Sequence, residues 1–278
     1  MQERGRRFRD LHLEGTFVLA NAWDAASAAV MELAGAPAIG TTSSGISWAL
    51  GVPDGEHLSR RQAVQAAATI VAAVDVPVTA DIEAGYGSSP QDVAATIEAM
   101  AAVGAVGANL EDRRWSGTTS LWPTDQQAER IAAARAAADR TGLTFTLNAR
   151  TDAFLAGIGE PGEREDVVLE RAARYAEAGA DCLFVPGLTD LQVIARIASA
   201  SPLPVNVLLA PGRGPGISEL ASAGVRRIST GHVIAAAALA AVKRAAQVLL
   251  DGDDGPLRAG IPHPQLQQLL AHRPAVPA

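Results

Sequence analysis

Short apolar runs rich in β-branched residues alternate along the chain with longer, Ala-rich stretches of helical period. Eight such runs can be read, at 16–20, 38–42, 76–80, 105–110, 144–148, 181–185, 204–209 and 226–230. A helical stretch follows each run. Asp24, Ser59, Pro90, Asp125, Glu163, Asp190 and Ser218 stand at or near the helix starts, and Gly35, Gly104, Gly142, Gly179 and Gly224 where the helices should stop. Strands that alternate with helices imply parallel βαβ units. Eight units with nearly continuous apolar strands predict an α/β chain folded as a (β/α)8 TIM-type barrel. A doubly wound open sheet is the alternative, but no run is followed by G-x-G-x-x-G in the required place. The barrel is expected over 1–260. A helical, Pro-rich C-terminal extension follows over 261–278, containing Pro262, Pro264, Pro274 and Pro277.

Composition narrows the function classes. Apolar residues make up 48% and charged residues 19% of the 278 residues, enough for a large core and against disorder. Lys plus Arg is 23 and Asp plus Glu is 30, a net charge of −7, which argues against a nucleic-acid partner. The longest apolar run, 233–242, is shorter than the roughly 18 residues that span a bilayer, and no apolar segment follows the arginine-rich N-terminus. No membrane association and a cytoplasmic location are therefore expected. The single cysteine, Cys182, excludes an internal disulfide and a multi-thiolate zinc site. Lys243 is the only lysine and sits on an Ala-rich helical stretch, which disfavours Schiff-base chemistry.

In a barrel the chemistry lies at the C-terminal ends of the strands. The third, fourth and fifth runs are nearly free of charge until they end, in Asp81-Ile82-Glu83, Asn109-Leu110-Glu111 and Asn148-Ala149-Arg150. Asp81 and Glu83, two residues apart, share one face of a strand end. Hard oxygen ligands without a histidine suit Mg2+, or Mn2+, and Glu111 on the neighbouring strand adds a third acid. The plainer reading is a pair of solvated loop carboxylates. Arg150 is placed to bind a substrate carboxylate, or to pair with Asp152 or Glu111. Thr41 to Gly45, which includes Ser43 and Ser44, form a hydroxyl- and glycine-rich corner before a long loop to Asp54. On spacing alone Asp54 reads as a turn residue. The connection 113–124 reads as a lid or an ordinary long loop. Cys182 reads as a core residue and His232 as a helix cap. The Gly-rich loop 211–216, with Thr230 and Gly231, occupies the usual barrel phosphate position, without a defined phosphate motif.

The segments "TTSSGISWALGVPDGE", "VTADIEAGYG", "GANLEDR" and "LNARTDAF" resemble, in order, the signatures of the isocitrate lyase / phosphoenolpyruvate mutase superfamily. The resemblance runs from about Asn21 to about His232. It implies a (β/α)8 barrel, often with its last helix exchanged between subunits, here as a homodimer or homotetramer. It also implies Mg2+, with Mn2+ as a substitute, and a small carboxylic acid as ligand. By position, Asp81 resembles the main metal-site carboxylate, Glu83 its companion and Glu111 the third acid. Asp54 resembles the loop aspartate near the reacting bond, Ser44, Gly45 and Ile46 the corner that grips a substrate carboxylate, and Arg150 its clamp. Ser43 and Asn148 join the substrate-binding set beside them.

The expected activity is Mg2+-dependent cleavage or formation of a C–C bond in a small 2-oxo or 2-hydroxy acid through an enolate-like state. Asp54, Glu111 and Arg150 form the catalytic set. Two departures bear on this. The lyases of the superfamily carry a Lys-(Lys/Arg)-Cys-Gly-His lid, where this chain has Arg113-Arg114-Trp115-Ser116-Gly117. They also carry a glutamate after the sixth strand, where this chain has Pro186 and Gly187. A P–C bond mutase or hydrolase, an oxaloacetate-type hydrolase and a non-catalytic oxo-acid-binding barrel are the alternatives.

Overall fold

The strands form where the apolar runs predict them. In the computed structural model, which describes residues 1–115 and 120–271, they are β1 (Phe17–Ala22), β2 (Ile39–Thr41), β3 (Val78–Asp81), β4 (Gly107–Glu111), β7 (Thr146–Arg150), β8 (Cys182–Val185), β9 (Val205–Leu208) and β10 (Arg227–Ser229). They pair in parallel and close into a barrel in the order β1-β10-β9-β8-β7-β4-β3-β2. Two short strands, β5 (Arg113–Arg114) and β6 (Ser120–Leu121), form an antiparallel ribbon beside it. The helices are α1 (Gln2–Asp10), α2 (Ala25–Leu33), α3 (Ser43–Ala49), α4 (Arg60–Ala72), α5 (Pro90–Ala102), α6 (Thr124–Arg140), α7 (Arg164–Glu177), α8 (Leu191–Ala200), α9 (Ile217–Ser222), α10 (Val233–Leu250) and α11 (His263–Ala271).

The helix signals act through identifiable contacts. Asp24 caps α2 by accepting the Ser27 N–H at 2.7 Å, and Asp190 caps α8 by accepting the N–H groups of Gln192 and Val193. Ser59 and Gln62 form a capping box at the start of α4. The five glycines expected at helix stops all adopt positive φ.

Each barrel strand presents two different faces. Ala108 and Leu110 of β4, Leu147 and Ala149 of β7, Val205 and Val207 of β9, and Ile228 of β10 pack outward with Ile97, Ile131, Val168 and Ile194 of the helix layer. Many of the alternate positions, which face the axis, are polar: Thr79, Asn109, Thr146, Asn148, Asn206, Arg227 and Ser229 are all buried. Arg227 on β10 donates to Asn109 on β4, two strands that are not neighbours in the sheet, so this hydrogen bond crosses the interior. The axis of this barrel is therefore a polar network rather than the usual packing of branched apolar side chains. At the N-terminal end, α1 buries Phe8, whose ring meets His12 and Phe17 edge-on. Burial lowers the His12 pKa to about 4, and the nearby Arg227 adds to the shift.

Helix α10 is exceptional. It is 18 residues long with a mean hydropathy of 1.7, long and apolar enough to cross a membrane by those criteria, and Ala235 is its one buried residue. Leu239, Val242 and Leu249 are more than half exposed. Lys243 and Arg244 interrupt the apolar face near mid-helix, where a bilayer would penalise them. Of the expected extension, α11 packs back against α2 of the same chain, and 272–278 lie outside the described residues.

Candidate active site

A cavity of about 200 Å3 opens at the C-terminal ends of the barrel strands. Ser43, Ser44, Asp54, Asp81 and Arg150 line it, together with Asn21, Thr42, Asn109, Phe184, Leu208, Ser229 and His232. The strand ends thus bring together one acid from β3, one cation from β7 and the corner after β2.

That corner is helical. Residues 43–49, expected as a loop, form α3, capped by the Thr42 hydroxyl, which accepts the Gly45 N–H. The capping bond organises a sequence of poor helix formers. Gly45 is required sterically: a Cβ there would lie 2.7 Å from Thr42 Cγ2 and 2.8 Å from Trp23 Cβ. The Ile46 N–H is spent on the Thr42 carbonyl and its side chain is buried, so the helix withdraws Ile46 from the cavity wall. Ser44 Oγ donates to Asp54 Oδ2 at 2.6 Å, which ties the Asp54 loop to the first turn of α3.

Asp81 ends β3 beside this turn and accepts the Ser43 N–H at 3.2 Å. Burial and the charge of Asp54 push its pKa up, while Arg150 pulls it down. Glu83 lies just behind. Its carboxylate accepts the Glu56 N–H and the Tyr86 hydroxyl, the latter at 3.3 Å. Burial raises its pKa to about 7, and Asp81, Asp54 and Glu56 reinforce the shift. Glu56, Glu83 and Tyr86 are the non-glycine residues with positive φ among the described residues, so strained backbone concentrates around this carboxylate. Arg130 on α6 holds the 84–88 turn by donating to the carbonyls of Ala84, Gly87 and Ser88.

Glu111 ends β4, 2% exposed, with its pKa driven well above the usual range by burial and by Asp152, Asp81 and Glu83. Trp115 Nε1 donates to its Oε1 at 2.7 Å, and Arg150 holds its Oε2 at 2.8 Å. Arg150 also grips Asp152 with two hydrogen bonds of 2.6 and 3.0 Å. Both ion pairs considered from sequence thus exist, and Arg150 still lines the cavity. Three of its five N–H donors are engaged, leaving two. Asp112, next to Glu111, anchors the strand end to α7 through Arg171 at 3.0 Å and Tyr175 at 2.9 Å.

Glu83, Glu111, Gly45, Ile46 and Asn148 are therefore adjacent to the cavity without lining it. Asn148 lies one layer deeper, where it donates to Asn109 Oδ1. Among the described residues, no three acids or other metal-binding side chains form a complete cage. Mg2+ does not require one, because it keeps several waters and takes one or two carboxylates. Asp81, with open space before it and two buried acids behind, suits that ion.

Three corrections concern other expected residues. His232 is the N-cap residue of α10, as expected, but makes no side-chain capping bond; it lines the cavity, with its ring edge-on to Trp48 at 5.9 Å. The Gly-rich loop 211–216 contributes nothing to the cavity wall. The 113–124 connection is in part the β5–β6 ribbon, and residues 116–119 lie outside the described residues. Cys182 is buried, its thiol pushed up to about 12, as an inert interior residue would be. Sequence reading overlooked Asn109, Phe184, Leu208 and Ser229 as cavity residues. Their signal was the period of two that also places Glu111 and Arg150.

The phosphoenolpyruvate phosphomutase family model matches residues 8–250. The chain belongs to this family. An uncharacterized protein of Mycobacterium tuberculosis is 37% identical over 95% of each chain. A 2-methylisocitrate lyase of Salmonella typhimurium is 30% identical over 72% of this chain and 68% of its own. A phosphonopyruvate hydrolase solved with oxalate and Mg2+ superposes with a TM-score of 0.83 at 26% identity, covering 96% of this chain and 95% of that one. The isocitrate lyase / phosphoenolpyruvate mutase superfamily, to which the family belongs, thus spans lyases, mutases and hydrolases, and this chain is one of its enzymes.

Proposed function

We propose that this protein is a Mg2+-dependent lyase that cleaves or forms a C–C bond in a small 2-oxo or 2-hydroxy carboxylic acid. The observation that carries the reading is one cavity wall holding Asp81, the Ser44–Asp54 pair and Arg150. Asp81 would hold the ion, with Glu83 and Glu111 as the acids behind it. The ion supplies a Lewis acid that draws charge from the oxo-acid oxygens.

The rest is work for side chains. Arg150 has two free N–H donors for a substrate carboxylate, and Ser43 and Ser44 line the same cavity. Asp54, one oxygen occupied by Ser44, has its other oxygen available to take a hydroxyl proton. Phe184, Leu155 and Leu208 give the cavity an apolar side. Turnover of a panel of 2-oxo and 2-hydroxy di- and tricarboxylates is expected to vanish with EDTA and to return with Mg2+ or Mn2+. Full activity of metal-free protein would overturn the reading.

A hydrolase or P–C bond reading draws on Trp115. It stands where the lyase lid would place a proton-donating cysteine, and its Nε1 is committed to Glu111. Product analysis separates the two, since water-derived oxygen or released phosphate would replace an aldol product.

The proposed assembly is a homodimer or homotetramer in which a second copy covers α10, the C-terminal extension included in the exchange. Light scattering coupled to size exclusion is expected to give an oligomer, and L239E/V242E a smaller species. A monomeric wild-type protein would refute the assembly.

A further inference from the structure

The polar axis beneath the cavity contains a buried cation with no acid beside it. Arg227 is fully buried, and among the described residues no carboxylate comes within ion-pair distance of it. The charge of Asp81 favours its charged form without pairing with it. Burial lowers its pKa to about 10, so it stays charged at neutral pH. A buried, unneutralised charge is costly and calls for a physical reason.

Its hydrogen bonds supply one. Nε donates to Ser229 Oγ at 3.2 Å and Nη2 to Asn109 Oδ1 at 3.0 Å, and both recipients line the cavity. Asn109 Oδ1 accepts a second bond, from Asn148 Nδ2 at 2.8 Å. Two donors from below fix which end of this amide is oxygen. Its N–H2 group is then the end left for the cavity.

We infer that Asn109 is a substrate-binding residue of the cavity floor, donating its amide to an oxygen of the anionic acid, and that Arg227 is the positioning residue that orients it and lends the floor positive charge. This rests on the reading of the substrate as a carboxylic acid. A preoriented donor above a desolvated cation favours negative charge more than either group would in water.

Calorimetric titration with oxalate in the presence of Mg2+ tests the inference without requiring the true substrate. N109D keeps the shape, gives Arg227 a buried counter-charge and removes the donor. It is expected to fold with wild-type or higher thermal stability and to bind oxalate about 10²-fold more weakly, the upper end of what a single hydrogen bond to a charged group supplies. R227K is expected to retain more affinity than R227M. A stable N109D with wild-type affinity overturns the assignment of Asn109, and R227M binding as well as R227K overturns the role of Arg227. Wild-type protein that fails to bind oxalate would instead refute the carboxylic-acid reading on which the inference stands.

Discussion

Asp81→Asn is expected to abolish Mg2+-dependent stabilisation of the fold and to lower turnover about 10³-fold, the effect of losing several kcal/mol of transition-state charge stabilisation. Asp81 is the one acid of the three that faces the cavity, and Glu83 and Glu111 are each held by groups behind it. The substitution should also change the pH dependence. The folded-state pKa of Glu83 lies near 7, above the ordinary 4.5. The metal-free protein therefore loses stability as pH rises from about 4.5 through about 7 and levels off above. A bound cation removes that penalty, so the Mg2+-induced rise in melting temperature should be small at about pH 5.5 and reach its plateau above about pH 7.5. In D81N, Glu83 loses the Asp81 charge that helps to raise its pKa, and the residual pH dependence should move to lower pH. Scanning fluorimetry with and without Mg2+ across pH reads both effects. A D81N protein with wild-type Mg2+ stabilisation would place the ion elsewhere.

The barrel was legible because its signals are local. Each predicted run overlaps its strand with ends displaced by at most two residues, and Asp24, Ser59 and Asp190 cap the helices they were expected to start. The acids and Arg150 were legible because a charge at the end of an apolar strand adds nothing to the packing of the core and is costly to bury unpaired. What escaped depends on contacts across the chain. Helix α3 forms from Ser-Ser-Gly, a poor helix sequence, because Thr42 caps it and Gly45 fits against Trp23. Arg130 holds a turn more than 40 residues away in sequence, and Arg227 reaches Asn109 across 118 positions. Helix α1 closes the barrel floor with Phe8, which no motif marked. The strands were read as nearly continuous apolar runs, and the alternation within them was applied to Asp81 and Glu83 alone, because a polar residue on the inner face of a closed barrel looks in sequence like one on a solvated face.

Arg150→Met is expected to be the most destabilising single change at this site. It leaves Glu111 and Asp152, with side chains 2% and 0% exposed, without their shared cation. Breaking a buried pair from one side costs about 3–5 kcal/mol, because the uncompensated charge remains. At roughly 2–4 °C per kcal/mol for a domain of this size, the melting temperature should fall by about 6–20 °C. Removing one of the stranded charges should return part of that loss, so E111Q/R150M is expected to melt above R150M alone. Lysine separates the two duties of this side chain. R150K keeps the charge and should melt closer to wild type, yet it cannot reproduce a fork that spans Asp152 and Glu111 while two further N–H groups stay free. Oxalate affinity should therefore fall by at least about 10-fold in R150K despite a largely preserved fold. If R150K binds oxalate as the wild type does, Arg150 only neutralises its acids, and the carboxylate clamp must be sought in the Ser43–Ser44 corner instead.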